Sequence, residues 1–113
     1  MEIAAFVDGR MIACGSIGPV ARAYPRKRHR AQVGLGVRMD WWGMGIGAAV
    51  LRTLVEAAPA LGFSQVELSV AEDNHRARRL YGRMGFVEMG RVPEALRYED
   101  GGAADEIWMV RKV

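Results

Sequence analysis

Two groups of residues in this 113-residue chain have types and spacings that suit chemistry. The first is Gly43-Met44-Gly45-Ile46-Gly47-Ala48, three alternating glycines that run into an amphipathic segment. Glycines let a backbone pass close to a ligand, and a helix N-terminus offers unpaired N–H groups to an anion. Phosphate is therefore the expected guest. A nucleotide-triphosphate loop is excluded, because it requires Gly-Lys-Ser/Thr and this chain has Gly47-Ala48-Ala49. Gly43, Gly45 and Ala48 do satisfy the dinucleotide pattern G-x-G-x-x-A, with Glu67 near the position of a ribose-binding acid. Against that, Asp40-Trp41-Trp42 separates the preceding strand from the loop, and Glu67 sits early in its own strand. The chain is also short for a doubly wound sheet with a substrate domain. The glycine loop alone leaves both readings open.

The second group is Asn74, Ala77, Leu80 and Tyr81 at helical spacing, closed by Gly85-Phe86. Taken alone, Tyr81 on this helix stripe reads as a core aromatic.

The surrounding pattern supplies elements to hold both groups. "EIAAFVD" and "RMIACGSI" read as strands joined by a tight turn at Asp8-Gly9. "RAQVGLGVRM" alternates Ala31, Val33, Leu35, Val37 and Met39 on one face, a third strand. A helix is predicted from about Gly45 to Ala60, its stripe made by Ile46, Val50, Leu54 and Ala58 beside Leu51 and Val55. Pro59 should disrupt its last turn, and Gly62 suits a left-handed position after it. "SQVELSVA" is a strand with Val66, Leu68 and Val70 opposite Glu67 and Ser69. A second helix starts near Asn74 as N-cap and ends at Gly85. "FVEMGRV" and "DEIWMVRKV" are the final strands, connected through Pro93 and a turn at Asp100-Gly101-Gly102. The order β-β-β-α-β-α-β-β places one strand–helix–strand crossover in a largely antiparallel sheet.

With "VRMDWWGMGIGAAVL" upstream and "NHRARRLYGRMGF" downstream, the chain resembles the GCN5-related N-acetyltransferase (GNAT) family. Trp42 to Gly47 fill the family's Q/R-x-x-G-x-G/A loop, and the N-x-x-A-x-x-L-Y-x-x-x-G-F pattern is matched throughout. The resemblance implies a mixed α/β fold with a splayed strand pair that binds the cofactor. It implies acetyl-CoA as acyl donor and direct transfer to a primary amine of unassigned identity. Leu35, Gly36 and Val37 would pair by backbone with the pantetheine arm. Gly43, Met44, Gly45, Ile46, Gly47 and Ala48 would hold the pyrophosphate, and Asn74 would contact the cofactor. Tyr81 would be the general acid. Two departures stand out: Trp42 replaces the family's Gln or Arg, and the chain begins one strand and two helices later than the family does. A homodimer that completes the amine-binding wall is one consequence of the second.

Glu67 is the first candidate for the base, ahead of His29; the alternative for Glu67 is a solvent-facing strand residue. Arg76, Arg78 and Arg79 could meet the cofactor's 3′-phosphate or simply be solvated. Cys14 is expected to be a small buried thiol, since no base partner is apparent. One cysteine and two histidines exclude an internal disulfide and a zinc site.

Half the residues are apolar, enough for the core of one domain over residues 1–113. No apolar run is long enough to span a bilayer, and "MEIAAFVDGR" has no secretory pattern, so a cytoplasmic location is expected. The net charge of +3 is uneven. Five of the 16 Lys and Arg residues lie in "RAYPRKRHR" (22–30), which leaves 11 against 13 acids elsewhere. That stretch reads as a loop between strands; nucleic-acid binding through it is a minor alternative. A non-catalytic acyl-CoA-binding module is the main alternative to an enzyme.

Overall fold

The computed structural model describes all of residues 1–113, which form six strands and two helices in the order read from the sequence. The chain divides into two compact units, Met1–Val66 with Lys112–Val113 and Glu67–Arg111.

In the first unit, β1 (Glu2–Val7) and β2 (Arg10–Pro19) form a hairpin. Its turn residues Asp8 (φ 49°) and Gly9 (φ 77°) both take positive φ, as the twist of a two-residue hairpin requires. β3 (Arg30–Val37) pairs antiparallel with the other side of β2, with Ala13 opposite Val37 and Gly15 opposite Leu35. Met39 does not continue the strand. It opens a 3₁₀ turn, Met39–Trp41, and is 73% exposed.

Helix α1 (Ile46–Ala57) is shorter than the sequence predicts. Pro59 cannot continue the hydrogen-bond ladder and starts a 3₁₀ turn, Pro59–Leu61, which ends at Gly62 with φ 92°. The apolar stripe of α1 buries Val50, Leu51, Leu54 and Val55. It lies against β2 at Gly15, where an added Cβ would stand 2.7 Å from Val50 Cγ1 and 2.9 Å from Leu54 Cδ1. Ala13, Ile17 and Val33 complete this core. Cys14 is exposed, contrary to expectation. Strand alternation turns it away from Gly15, and therefore away from α1, beside the small exposed residues Ala4 and Gly36.

The second unit has strand order β4 (Gln65–Ala71), β6 (Ala103–Lys112), β5 (Val87–Arg97), with helix α2 (His75–Arg83) between β4 and β5 in the chain. β5 and β6 are antiparallel and joined by the expected turn, with Gly101 at φ 89°. Pro93 lies inside β5 rather than in a connection. The register breaks between Val92 and Leu96, and Glu94 takes φ 48° there. An edge strand tolerates a missing N–H at such a bulge. Leu68, Val70, Tyr81, Phe86, Ala104, Ile107 and Met109 form the core. No helix of the chain is long and apolar enough to cross a membrane.

Candidate active site

In the first unit the candidate residues lie along one run of chain, from the end of β3 to the start of α1. The Arg38 N–H donates to Ile12 O and the Val20 N–H to Arg30 O, so even-numbered residues of β3 turn their backbone groups to β2. Gly36 is therefore committed to the hairpin. Leu35 and Val37 turn their backbone groups to the opposite edge of β3. The Trp42 indole N–H donates to Val37 O at 2.8 Å. A tryptophan thus ties the loop back to the strand at the position where the family carries Gln or Arg.

Gly43 (φ 81°) and Gly45 (φ 77°) both take left-handed conformations that side chains rarely adopt. Nothing lies within 4 Å of a Cβ built on Gly45, so conformation rather than crowding calls for glycine there. Gly45 is the N-cap of α1 and makes no side-chain cap, and no acidic residue stands in the first turn. The first intrahelical bond is Ala49 N–H to Gly45 O, which leaves the N–H groups of Ile46, Gly47 and Ala48 directed out of the helix end. Those donors and the positive end of the helix dipole suit a phosphate.

In the second unit, Asn74 caps α2. Its Oδ1 accepts from the Ala77 N–H at 3.2 Å, which spends the side-chain oxygen and leaves the amide N–H groups for a ligand. Tyr81, one helical turn from the C-terminus, is 9% exposed and packs against Phe86 with ring centroids 6.2 Å apart. Its hydroxyl makes no hydrogen bond within the chain, yet no buried side-chain oxygen or nitrogen lacks a partner. The ring is therefore buried while the hydroxyl reaches the surface. Burial raises its pKa above the ordinary value of 10.0, which keeps it a proton donor across the neutral range. Arg111 Nη1 donates to Met84 O at 2.8 Å and closes the C-terminal end of the helix.

Glu67 differs from the expected solvent-facing strand residue. It is 2% exposed and is the buried charged side chain of the core, because its neighbours Val66 and Leu68 are also buried and β4 is covered on both faces. His29 and residues 22–28 are exposed, with Pro25–Lys27 in a 3₁₀ turn and Lys27 Nζ 5.2 Å from the Tyr24 ring, while Arg30 is half-buried and opens β3.

One arrangement had no local signal in the sequence. Arg91, Tyr98 and Asp105 gather around the Glu72–Asp73 loop that precedes Asn74. Tyr98 and Asp73 are 25 residues apart, and only the hairpin return of β5 and β6 brings such residues together.

The profile of the Acetyltransferase (GNAT) family matches residues 2–86. The chain is 30% identical over 112 residues to the L-amino acid N-acetyltransferase AaaT of Escherichia coli, covering 97% of this chain and 67% of that protein. An uncharacterized N-acetyltransferase of Methanocaldococcus jannaschii is 36% identical over 81 residues, covering 71% of this chain and 49% of its own length. Among solved structures, a GNAT-family acetyltransferase from Streptococcus pneumoniae superposes with a TM-score of 0.89 at 26% identity, covering 99% of this chain and 66% of that one. The yncA protein from Salmonella typhimurium, solved with its cofactor acetyl-CoA, superposes at 0.88 with 20% identity, a likeness of fold. This chain belongs to the GNAT acetyltransferase family, whose members are acyltransferase enzymes. It spans half to two thirds of the length of the two curated relatives named.

Proposed function

We propose that the protein is an N-acetyltransferase that moves the acetyl group of acetyl-CoA directly to a primary amine. The observation that carries this reading is the start of α1, where two left-handed glycines expose three backbone N–H groups without a lysine. Such a site suits the pyrophosphate of coenzyme A, held by Gly43 to Ala48. Leu35 and Val37 would offer backbone groups to the pantetheine arm, with Gly36 a spacer between them, and Asn74 would offer its amide.

In the reaction the amine nitrogen attacks the thioester carbonyl carbon, the carbon–sulfur bond breaks, and the sulfur leaves with the electron pair. Tyr81 supplies a proton to that sulfur. A thiol near 8.5 is more acidic than a buried tyrosine, so the tyrosine acts while charge develops and is reprotonated from solvent. The amine must also lose a proton, and Glu67 is our assignment for its acceptor. With 2% exposure the carboxylate would receive that proton along water rather than directly. The name of AaaT makes L-amino acids the first acceptors to test. A homodimer and a cytoplasmic location belong to the same reading.

The test is release of free thiol from acetyl-CoA with L-amino acids, polyamines and peptide N-termini. Turnover with one class is expected, and Tyr81→Phe should lower kcat about a hundredfold while leaving the acetyl-CoA Kd within about twofold. A variant as fast as the parent would remove Tyr81 from the acid role. Binding of acetyl-CoA without any turnover would select the non-catalytic acyl-CoA-binding module instead.

A further inference from the structure

We propose that Arg91 and Tyr98 are positioning residues for the acyl donor: from β5 and the turn after it they hold the Glu72–Asp73 loop, and through it the pose of Asn74. The proposal rests on the acetyl-CoA reading above. β4 ends at Ala71 and α2 begins at His75, so three residues set the direction in which the helix leaves the strand. Their backbone is pinned within the unit. The Glu72 N–H donates to Asp105 O at 2.9 Å, the Asn74 N–H to Ala71 O at 3.0 Å, and Arg78 Nη1 to Glu72 O at 2.9 Å.

The two acidic side chains of the loop are held by the final hairpin. Arg91 Nη1 lies 3.1 Å from Glu72 Oε1 and 3.2 Å from Asp105 Oδ2, and its Nε and Nη2 each lie 3.4 Å from Glu88 Oε1. One guanidinium thus joins the loop, β5 and β6. The Tyr98 hydroxyl donates to the Asp73 carboxylate, at 2.8 Å from Oδ2 and 3.0 Å from Oδ1. The bulge in β5 serves this cluster. At φ 48°, Glu94 turns its N–H onto Asp105 Oδ1 at 2.9 Å, which orients the carboxylate whose other oxygen meets Arg91. Without Arg91, the carboxylates of Glu72, Glu88 and Asp105 would face one another uncompensated, next to Asp73. Their repulsion would strain the loop against its backbone hydrogen bonds and turn the Asn74 amide from its pose.

Exposed ion pairs contribute little to global stability. The device therefore predicts a change in donor binding rather than in folding. Arg91→Gln and Tyr98→Phe should each raise the KM for acetyl-CoA by about three- to tenfold, with kcat within about twofold and an unchanged melting temperature. Arg91→Lys keeps the charge and should recover most of the Arg91→Gln loss. Glu99→Gln, on the same turn, should leave KM unaltered. If the parent binds acetyl-CoA but no acceptor is found, calorimetric Kd values replace KM. Unchanged donor affinity in both variants would overturn the proposal, as would a fall in kcat and melting temperature at constant KM. Failure of the parent itself to bind acetyl-CoA would overturn the functional reading, and this one with it.

Discussion

Tyr81 combines a buried ring with a hydroxyl that the chain leaves unbonded, and burial raises its pKa. The consequence for stability has a definite sign. The unfolded chain ionises this tyrosine near pH 10, while the folded protein resists ionisation until a higher pH. In that window the folded state binds more protons than the unfolded one, so stability falls as pH rises past about 10. Subtracting the denaturation profile of Tyr81→Phe from that of the parent isolates this residue. The difference should be flat from pH 7 to about 9 and should turn against the parent above about 10. Asp105 has the opposite sign. The Glu94 N–H and the Arg91 guanidinium hold its carboxyl below the usual range, so its contribution is present above about pH 4 and is lost as pH falls further.

At the scale of elements, the α1–β2 contact fixes the start of the helix relative to the strands beneath it. Gly15 permits that approach, since a Cβ there would overlap both Val50 and Leu54. Gly15→Ala should therefore destabilise the protein by about 1–3 kcal/mol in urea titration, because the helix must shift or its side chains leave their rotamers. Gly18→Ala on the same strand meets nothing within 4 Å and serves as the control. Five acids, Glu94, Glu99, Asp100, Asp105 and Glu106, lie in β5, β6 and the turn between them. In the fold, Asp105 is spent on Arg91 and the Glu94 N–H, and Asp100 Oδ1 accepts the Gly102 N–H of the turn. Two of the five carboxylates thus hold the hairpin together.

For the whole molecule, the functional reading turns on which cofactor the chain recognises. A ligand that binds only the folded state stabilises it by about 2.7 kcal/mol at a hundred times its Kd. Acetyl-CoA should raise the melting temperature in a concentration-dependent way, and NAD should not, since the Asp40-Trp41-Trp42 spacer and the buried Glu67 fit no dinucleotide site. Stabilisation by NAD alone would revive the dinucleotide reading of Gly43, Gly45 and Ala48.

The element order, the hairpin turn at Asp8-Gly9, the N-cap at Asn74, the stop at Pro59 and Gly62, and the family are all legible in the order of residue types. Each of these is set by a few neighbouring residues or by a periodicity that local geometry imposes. The exposure of Cys14, the burial of Glu67, the pairing of Gly36 with β2 and the meeting of Arg91 and Tyr98 with the loop before Asn74 come from the packed fold. Those outcomes depend on which face of a strand another element covers and on contacts across tens of residues. Such long-range packing leaves no trace in the local spacing of residue types.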